Sequence, residues 1–76
     1  MKIEILGIGC PKCKKMYKNS EKAVKELNIE ADIIKVYDSM EIARRHVFET
    51  PALAIDGEVK IAGRVASVEE IKKLLR

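Results

Sequence analysis

The two cysteines of this 76-residue chain, Cys10 and Cys13, are the residues whose type and spacing point most directly to chemistry. A disulfide between them closes a loop of only four residues. Loop-closure entropy makes such a cross-link worth about 2 kcal/mol, against about 4.7 kcal/mol for a 100-residue loop. Thiolates, by contrast, attack disulfides and bind soft metal ions. The pair is therefore explained better by redox chemistry or metal binding than by structural cross-linking.

The composition limits the kind of protein that carries this pair. With 47% hydrophobic and 36% charged residues, the chain is too apolar for disorder and too charged for a membrane span. Its length suits one domain, residues 1–76, with one active site. No long apolar stretch follows Met1, which predicts a cytoplasmic protein without a targeting segment. The chain has no glutamine, nine glutamates and eleven lysines, a balance typical of thermophiles.

Hydrophobic periodicity predicts the elements that must position the cysteines. Residues 2–8 alternate as a strand, and Pro11 suits the first turn of a helix that ends near residues 27–29. A second strand is predicted at residues 31–37. A second helix is predicted at residues 39–48, where Met40, Ala43 and Val47 form the apolar stripe behind Asp38 as N-cap.

The last third of the chain predicts a hairpin and a final helix. Asp56-Gly57 separates two runs typical of strands, which is a strong signal for a two-residue turn. Ser67 is followed three residues later by Glu70, as at a helix N-terminus. The predicted order of elements is β-α-β-α-β-β-α.

The helix that begins at the cysteines sets their expected reactivity. A Cys10 thiolate at the N-cap accepts hydrogen bonds from unpaired backbone N–H groups, which lowers its pKa below the usual value of about 8.5. We therefore expect Cys10 to be the nucleophile. Cys13, on the apolar side of the helix, would then attack the mixed disulfide. Pro11 fixes φ and Lys12 adds positive charge, so both tune the redox potential.

Three motifs carry a resemblance to a known family. They are Gly9-Cys10-Pro11-Lys12-Cys13, Thr50-Pro51-Ala52, and the stretch from Asp56-Gly57-Glu58-Val59 to Gly63-Arg64-Val65-Ala66-Ser67. Together with the element order, they resemble the thioredoxin fold trimmed to its glutaredoxin-sized core. Nearly the whole chain is similar to small archaeal thioredoxin-like proteins, also described as redox-active disulfide or glutaredoxin-like proteins. The resemblance implies an α/β fold in which a four-stranded mixed sheet is flanked by three helices.

The same resemblance implies roles for Thr50, Pro51 and Glu4. In such proteins the proline that enters the third strand is cis and lies against the disulfide, which here assigns a cis bond to Thr50–Pro51. Thr50 would offer backbone hydrogen bonds to an extended substrate peptide, and Pro51 would keep metal ions away from the cysteines. A buried acid six residues before the first cysteine falls on Glu4. Proton transfer by Glu4 and a solvated strand position without a role both remain open.

The function implied by the resemblance is thiol-disulfide exchange, as a protein disulfide reductase or electron carrier, without a cofactor. The partners implied are disulfide-containing proteins and a thioredoxin-reductase-like or other electron donor, and we expect a monomer. The C-P-K-C motif and the missing acidic residues do not match a glutathione site. Residues 10–27 carry a net charge of +4, and an acidic partner would suit Lys12, Lys14 and Lys15. Three aromatics and a short basic patch do not suit nucleic acid, and no membrane contact is expected.

The main alternative is a copper(I) chaperone, because small domains with C-x-x-C between a strand and a helix also bind Cu(I). Heavy-metal-associated domains have the order β-α-β-β-α-β and a methionine two residues before the first cysteine, where this chain has Ile8. Zinc needs four ligands, and the one histidine, His46, lies on the predicted second helix. A zinc site would therefore require two chains.

Overall fold

Strands and helices follow each other along the chain in the predicted order. The structure is a computed structural model that describes residues 1–8 and 11–76. Within these residues the elements are β1 (Lys2–Leu6), α1 (Pro11–Leu27), β2 (Asp32–Val36), α2 (Ser39–Arg44), β3 (Ala52–Ile55), β4 (Glu58–Ala62) and α3 (Val68–Leu75). None of the described helices is long and apolar enough to cross a membrane.

The strands form a mixed four-stranded sheet in the order β2-β1-β3-β4. β1 pairs parallel with β2 and antiparallel with β3, which pairs antiparallel with β4. Asp56 and Gly57 have φ angles of 49° and 87°, as a two-residue turn between β3 and β4 requires. The predicted hairpin and the four-stranded mixed sheet with three helices are thus confirmed.

Apolar clusters cover both faces of the sheet, because side chains alternate along each strand. One face packs against α1 and α3, with Ile3, Ile5, Met16, Leu53 and Ile71 among its buried residues. The other face packs against α2 and the segment after it through a smaller cluster: Leu6, Ile42, Val47, Ala52 and Ala54. β1 contributes to both clusters and is the strand from which the candidate site is built.

The prediction for the second helix was wrong at its end and on its buried face. α2 ends at Arg44 rather than at residue 48, because His46 adopts the left-handed conformation with φ 59°. The His46 N–H donates to the Ala43 carbonyl at 2.9 Å and the Val47 N–H to the Ile42 carbonyl at 3.3 Å, a Schellman motif. Met40, expected in the core, is 67% exposed, because the short helix buries Ile42 instead.

Candidate active site

Cys13 is buried at the junction of α1 with the end of β1. Its residue exposure is 7%, and it is the third residue of α1, in the first turn of the helix that begins at Pro11. Pro11 at this position needs no N–H donor, as the sequence predicted. Cys10, the expected nucleophile at the N-cap, lies outside the described residues.

Gly7 allows the close approach of Cys13 to the sheet. A Cβ atom at Gly7 would overlap the Cys13 Sγ and would lie 3.3 Å from the Cys13 Cβ and 3.8 Å from the Thr50 Cβ. The Gly7 N–H donates to the Val36 carbonyl at 3.0 Å, which fixes this glycine beside the end of β2. The sequence placed Gly7 within the predicted strand 2–8 and assigned it no packing role. A glycine directly after a strand and shortly before the cysteines was the signal for close packing.

Thr50 and Pro51 approach the same place from the other side of β1. The Thr50–Pro51 peptide bond is cis, as the resemblance implied. Pro51 is buried and its carbonyl accepts from the Gly63 N–H at 3.1 Å, whereas Thr50 is exposed. The structure therefore brings Cys13, Gly7 and Thr50 together. The expected contact of Pro51 with a Cys10–Cys13 disulfide involves Cys10 and lies outside the described residues.

Basic side chains surround the start of α1. Lys12, Lys14 and Lys15 are all exposed. Among residues 1–8 and 11–76, no ion pair involves any of these three lysines. Their positive charge is thus available to a thiolate or to an acidic partner.

Glu4 is buried on the opposite face of the sheet. Its exposure is 3%, so the alternative of a solvated strand residue was wrong. Arg45 donates to both carboxylate oxygens, from Nη1 to Oε1 at 2.9 Å and from Nη2 to Oε2 at 2.7 Å. These hydrogen bonds hold the pKa of Glu4 below its usual value, although burial opposes the shift. Ile3 and Ile5, the neighbours of Glu4 in β1, face α1, so Glu4 points away from the helix that carries Cys13.

Metal ligands do not gather elsewhere in the described part of the chain. Residues 1–8 and 11–76 contain no group of three or more His, Cys, Asp or Glu side chains placed to hold a metal ion. His46 is exposed and ends α2 through its backbone. Its conformation explains its position without a ligand role.

Known proteins are similar to this chain over nearly its whole length. A family model described as a thioredoxin domain matches residues 1–76. A thioredoxin of Methanothermobacter thermautotrophicus is 51% identical over 75 residues, which cover 99% of this chain and 97% of that protein. A thioredoxin of Methanocaldococcus jannaschii is 51% identical over 74 residues, which cover 97% of this chain and 85% of that protein.

Proposed function

The chain belongs to the thioredoxin family and is a thiol-disulfide oxidoreductase of that family, and we propose that Cys10 and Cys13 are its redox pair. The observation that carries the proposal is the burial of Cys13 against Gly7, beside Thr50. A shielded second thiol suits the resolving step, in which no substrate sulfur has to reach it. The thiol of Cys10, three residues earlier in the sequence, then meets the substrate.

The proposed reaction proceeds in two exchanges. The Cys10 thiolate attacks one sulfur of a substrate disulfide, and the other sulfur leaves as a thiolate with the bonding electrons and takes a proton from water. The Cys13 thiolate then attacks the Cys10 Sγ, which releases the second substrate sulfur and forms the Cys10–Cys13 disulfide. Thioredoxins generally act on disulfide substrates together with a reductase, and such a donor would return two electrons to this chain.

Pro11, Lys12, Thr50 and Pro51 support this chemistry in the proposal. Pro11 begins α1, so its ring starts the helix directly after Cys10 without the loss of a needed donor. The exposed Lys12 adds a positive charge that favours a thiolate. Thr50 is exposed and close to Gly7. In the proposal its backbone pairs with an extended substrate peptide, and Pro51 forms the wall of that groove and keeps metal ions away.

Glu4 fits the proposal as a structural residue. A carboxylate that transfers a proton must take it up near the working pH, yet Arg45 keeps the pKa of Glu4 below its usual value. Glu4 also faces α2 rather than α1, so the sheet lies between it and Cys13. Proton transfer by Glu4 stays a prediction, and the geometry favours the structural alternative.

Insulin reduction tests the proposed function. With dithiothreitol as electron donor, the wild-type chain should accelerate the precipitation of reduced insulin, and Cys10→Ser should not. Cys13→Ser is the matched control, because it keeps the attacking thiol and should form a mixed disulfide without turnover. A wild-type chain that does not accelerate insulin reduction would contradict the proposal.

The copper alternative has less support. The observed order β-α-β-α-β-β-α differs from that of the heavy-metal-associated domains, and Ile8 stands where they carry a methionine. Titration of the reduced chain with Cu(I) against a competing chelator measures this alternative directly. Tight binding of one Cu(I) by a chain that is inactive towards insulin would favour the chaperone.

We also propose where the protein acts and which proteins it contacts. A cytoplasmic monomer that serves disulfide-containing proteins fits the family, and the exposed Lys12, Lys14 and Lys15 fit acidic partners. Capture by Cys13→Ser in cells identifies these partners, and Cys10→Ser is the control.

The lack of glutamine and the excess of charged residues fit a thermophile. A melting temperature of about 45–65 °C, the mesophile range, would contradict that assignment.

A further inference from the structure

Residues 63–66, which connect β4 to the N-cap of α3, lie beside the Thr50–Pro51 peptide. The Gly63 N–H donates to the Pro51 carbonyl at 3.1 Å. A Cβ atom at Gly63 would overlap the Glu49 carboxylate and would lie 3.2 Å from the Glu49 Cβ. Because β1 and β4 flank β3, Thr50 has Gly7 on one side and segment 63–66 on the other.

At its other end, segment 63–66 is bonded to α1 through both backbone groups of Ala66. The Asn19 Nδ2 donates to the Ala66 carbonyl at 2.8 Å, and the Ala66 N–H donates to the Met16 Sδ at 3.3 Å. Ala66 is fully buried and belongs to no helix or strand. Buried backbone groups outside regular structure need other partners, and the two side chains supply them. We call Met16 and Asn19 the Ala66 clamp.

The Ala66 clamp closes a ring of contacts around the candidate active site. Cys13 lies against Gly7, which lies beside Thr50. The peptide after Thr50 bonds to Gly63, and the chain returns from there to α1 at Ala66. Met16 follows Cys13 by one turn on the same buried face of α1. The helix that carries Cys13 therefore also holds segment 63–66 in place.

We propose that Asn19, together with Met16, is a positioning residue for substrate binding and acts through Ala66. The inference rests on the proposed function, in which an extended peptide pairs with Thr50 and so lies next to segment 63–66. A segment that is fixed before the peptide arrives loses little conformational freedom on binding, which favours affinity. The attack on the substrate sulfur is made by Cys10, so a loosened segment should raise KM and leave kcat unchanged.

Asn19→Leu tests this role with two disulfides of different size. Leucine keeps a branched side chain of similar size and has a higher helix propensity, so a loss of activity would not come from a weaker α1. For insulin we expect KM to rise about three- to tenfold and kcat to stay within about twofold. The rate with dithiobis(2-nitrobenzoate), which has no peptide backbone to pair, should not change. An unchanged KM for insulin, or equal losses with both disulfides, would overturn the proposal.

Ser20→Ala is the matched control, because it removes a side-chain hydrogen bond of the same helix that does not involve Ala66. The Ser20 Oγ donates to the Met16 carbonyl at 2.9 Å, within α1. Its KM for insulin should equal that of the wild-type chain. If Ser20→Ala raises KM as much as Asn19→Leu does, the effect belongs to α1 in general and the proposal is wrong.

Amide hydrogen exchange gives a second readout at the segment itself. In Asn19→Leu, the amide hydrogens of residues 64–66 should exchange about three- to tenfold faster, while those of β1 and β3 keep their wild-type rates. Met16→Leu conserves volume but removes the sulfur acceptor, so it should raise exchange and KM in the same direction. It carries the test should Asn19→Leu fail to fold. Wild-type exchange rates at residues 64–66 would overturn the proposal.

The two proposals fail differently. A wild-type chain that cannot reduce insulin contradicts the redox function. A wild-type chain that reduces insulin, with an Asn19→Leu variant of the same KM, contradicts only the role of the Ala66 clamp.

Discussion

Two regions on opposite faces of β1 each bury a side chain that is capable of chemistry, but the surroundings of these two side chains differ. On the α1 face, Cys13 lies against Gly7 beside a cleft bordered by Lys14 and Lys35, which form no ion pair among residues 1–8 and 11–76. On the α2 face, Glu4 is held through both oxygens by Arg45. The first arrangement leaves positive charge beside the buried cysteine, while in the second the buried carboxylate is fully paired with a guanidinium.

Burial alone does not show whether a side chain takes part in chemistry. Glu4 and Cys13 have similar exposures of 3% and 7%, so burial does not distinguish them. The surroundings do, because a guanidinium that donates two hydrogen bonds fixes the charge of a carboxylate and removes its freedom to exchange a proton. Four predictions test this contrast, starting from the largest expected effect.

Gly7→Ala should have the largest effect, because its new methyl group overlaps the Cys13 sulfur. We expect the chain to lose about 2 kcal/mol of stability by overpacking. Insulin reduction should fall about tenfold to a hundredfold as the sulfur is displaced. The control is Gly57→Ala, which meets no atom within 4 Å but has φ 87°. It should lose about 1 kcal/mol and keep its activity. Unimpaired activity of Gly7→Ala would show that the contact is unimportant.

Glu4→Gln should destabilise the fold without changing the pH dependence of exchange. Loss of the charge leaves Arg45 partly buried without its main partner, which costs about 2 kcal/mol in urea unfolding. The rate of insulin reduction from pH 5 to pH 9 should keep the shape of the wild-type profile. A shifted profile would contradict the purely structural role of Glu4 and support proton transfer by this residue.

Acid should lower the free energy of unfolding of the wild-type chain more than that of Glu4→Gln. The pKa of Glu4 is lower in the folded chain than its usual 4.5, so the stability that its charge contributes is present above pH 4.5. This contribution is lost as the pH falls through the lowered folded value. Urea unfolding between pH 6 and pH 2.5 should therefore show a shallower loss for Glu4→Gln, and equal slopes would contradict the assignment of the pair.

His46→Gly should have the smallest effect, and in the stabilising direction. The left-handed conformation of His46, with φ 59°, costs glycine nothing, so the variant should gain about 0.5–1 kcal/mol. Its insulin activity should equal that of the wild-type chain, because the Schellman motif only ends α2. A loss of stability would mean that the imidazole makes a contribution beyond the backbone.

Local signals explain what was predictable from the sequence. The Asp56-Gly57 turn, the Pro11 start of α1 and the Ser67 N-cap of α3 each depend on residues within one turn, and all three were predicted correctly. The family motifs added the cis bond at Thr50–Pro51. The end of α2 was missed, because a histidine in the left-handed conformation carries no signal comparable to glycine at that position.

Contacts between distant residues explain what was not predictable. Glu4 and Arg45 are 41 positions apart, and the strand pattern around Glu4 is that of a half-solvated strand. Only the packing of the segment after α2 onto the sheet brings the guanidinium to the carboxylate. The cleft beside Cys13 likewise needs α1, β1 and β2 in place before Lys14 and Lys35 become neighbours.

Mass spectrometry of mixed disulfides with an insulin-derived peptide tests the central claim most directly, namely that Cys10 attacks protein disulfides and the shielded Cys13 resolves them. Cys13→Ser should accumulate one peptide adduct on Cys10, Cys10→Ser should accumulate none, and the wild-type chain should end as the Cys10–Cys13 disulfide. A peptide adduct on Cys13 in Cys10→Ser, or full turnover by Cys13→Ser, would contradict the assigned roles.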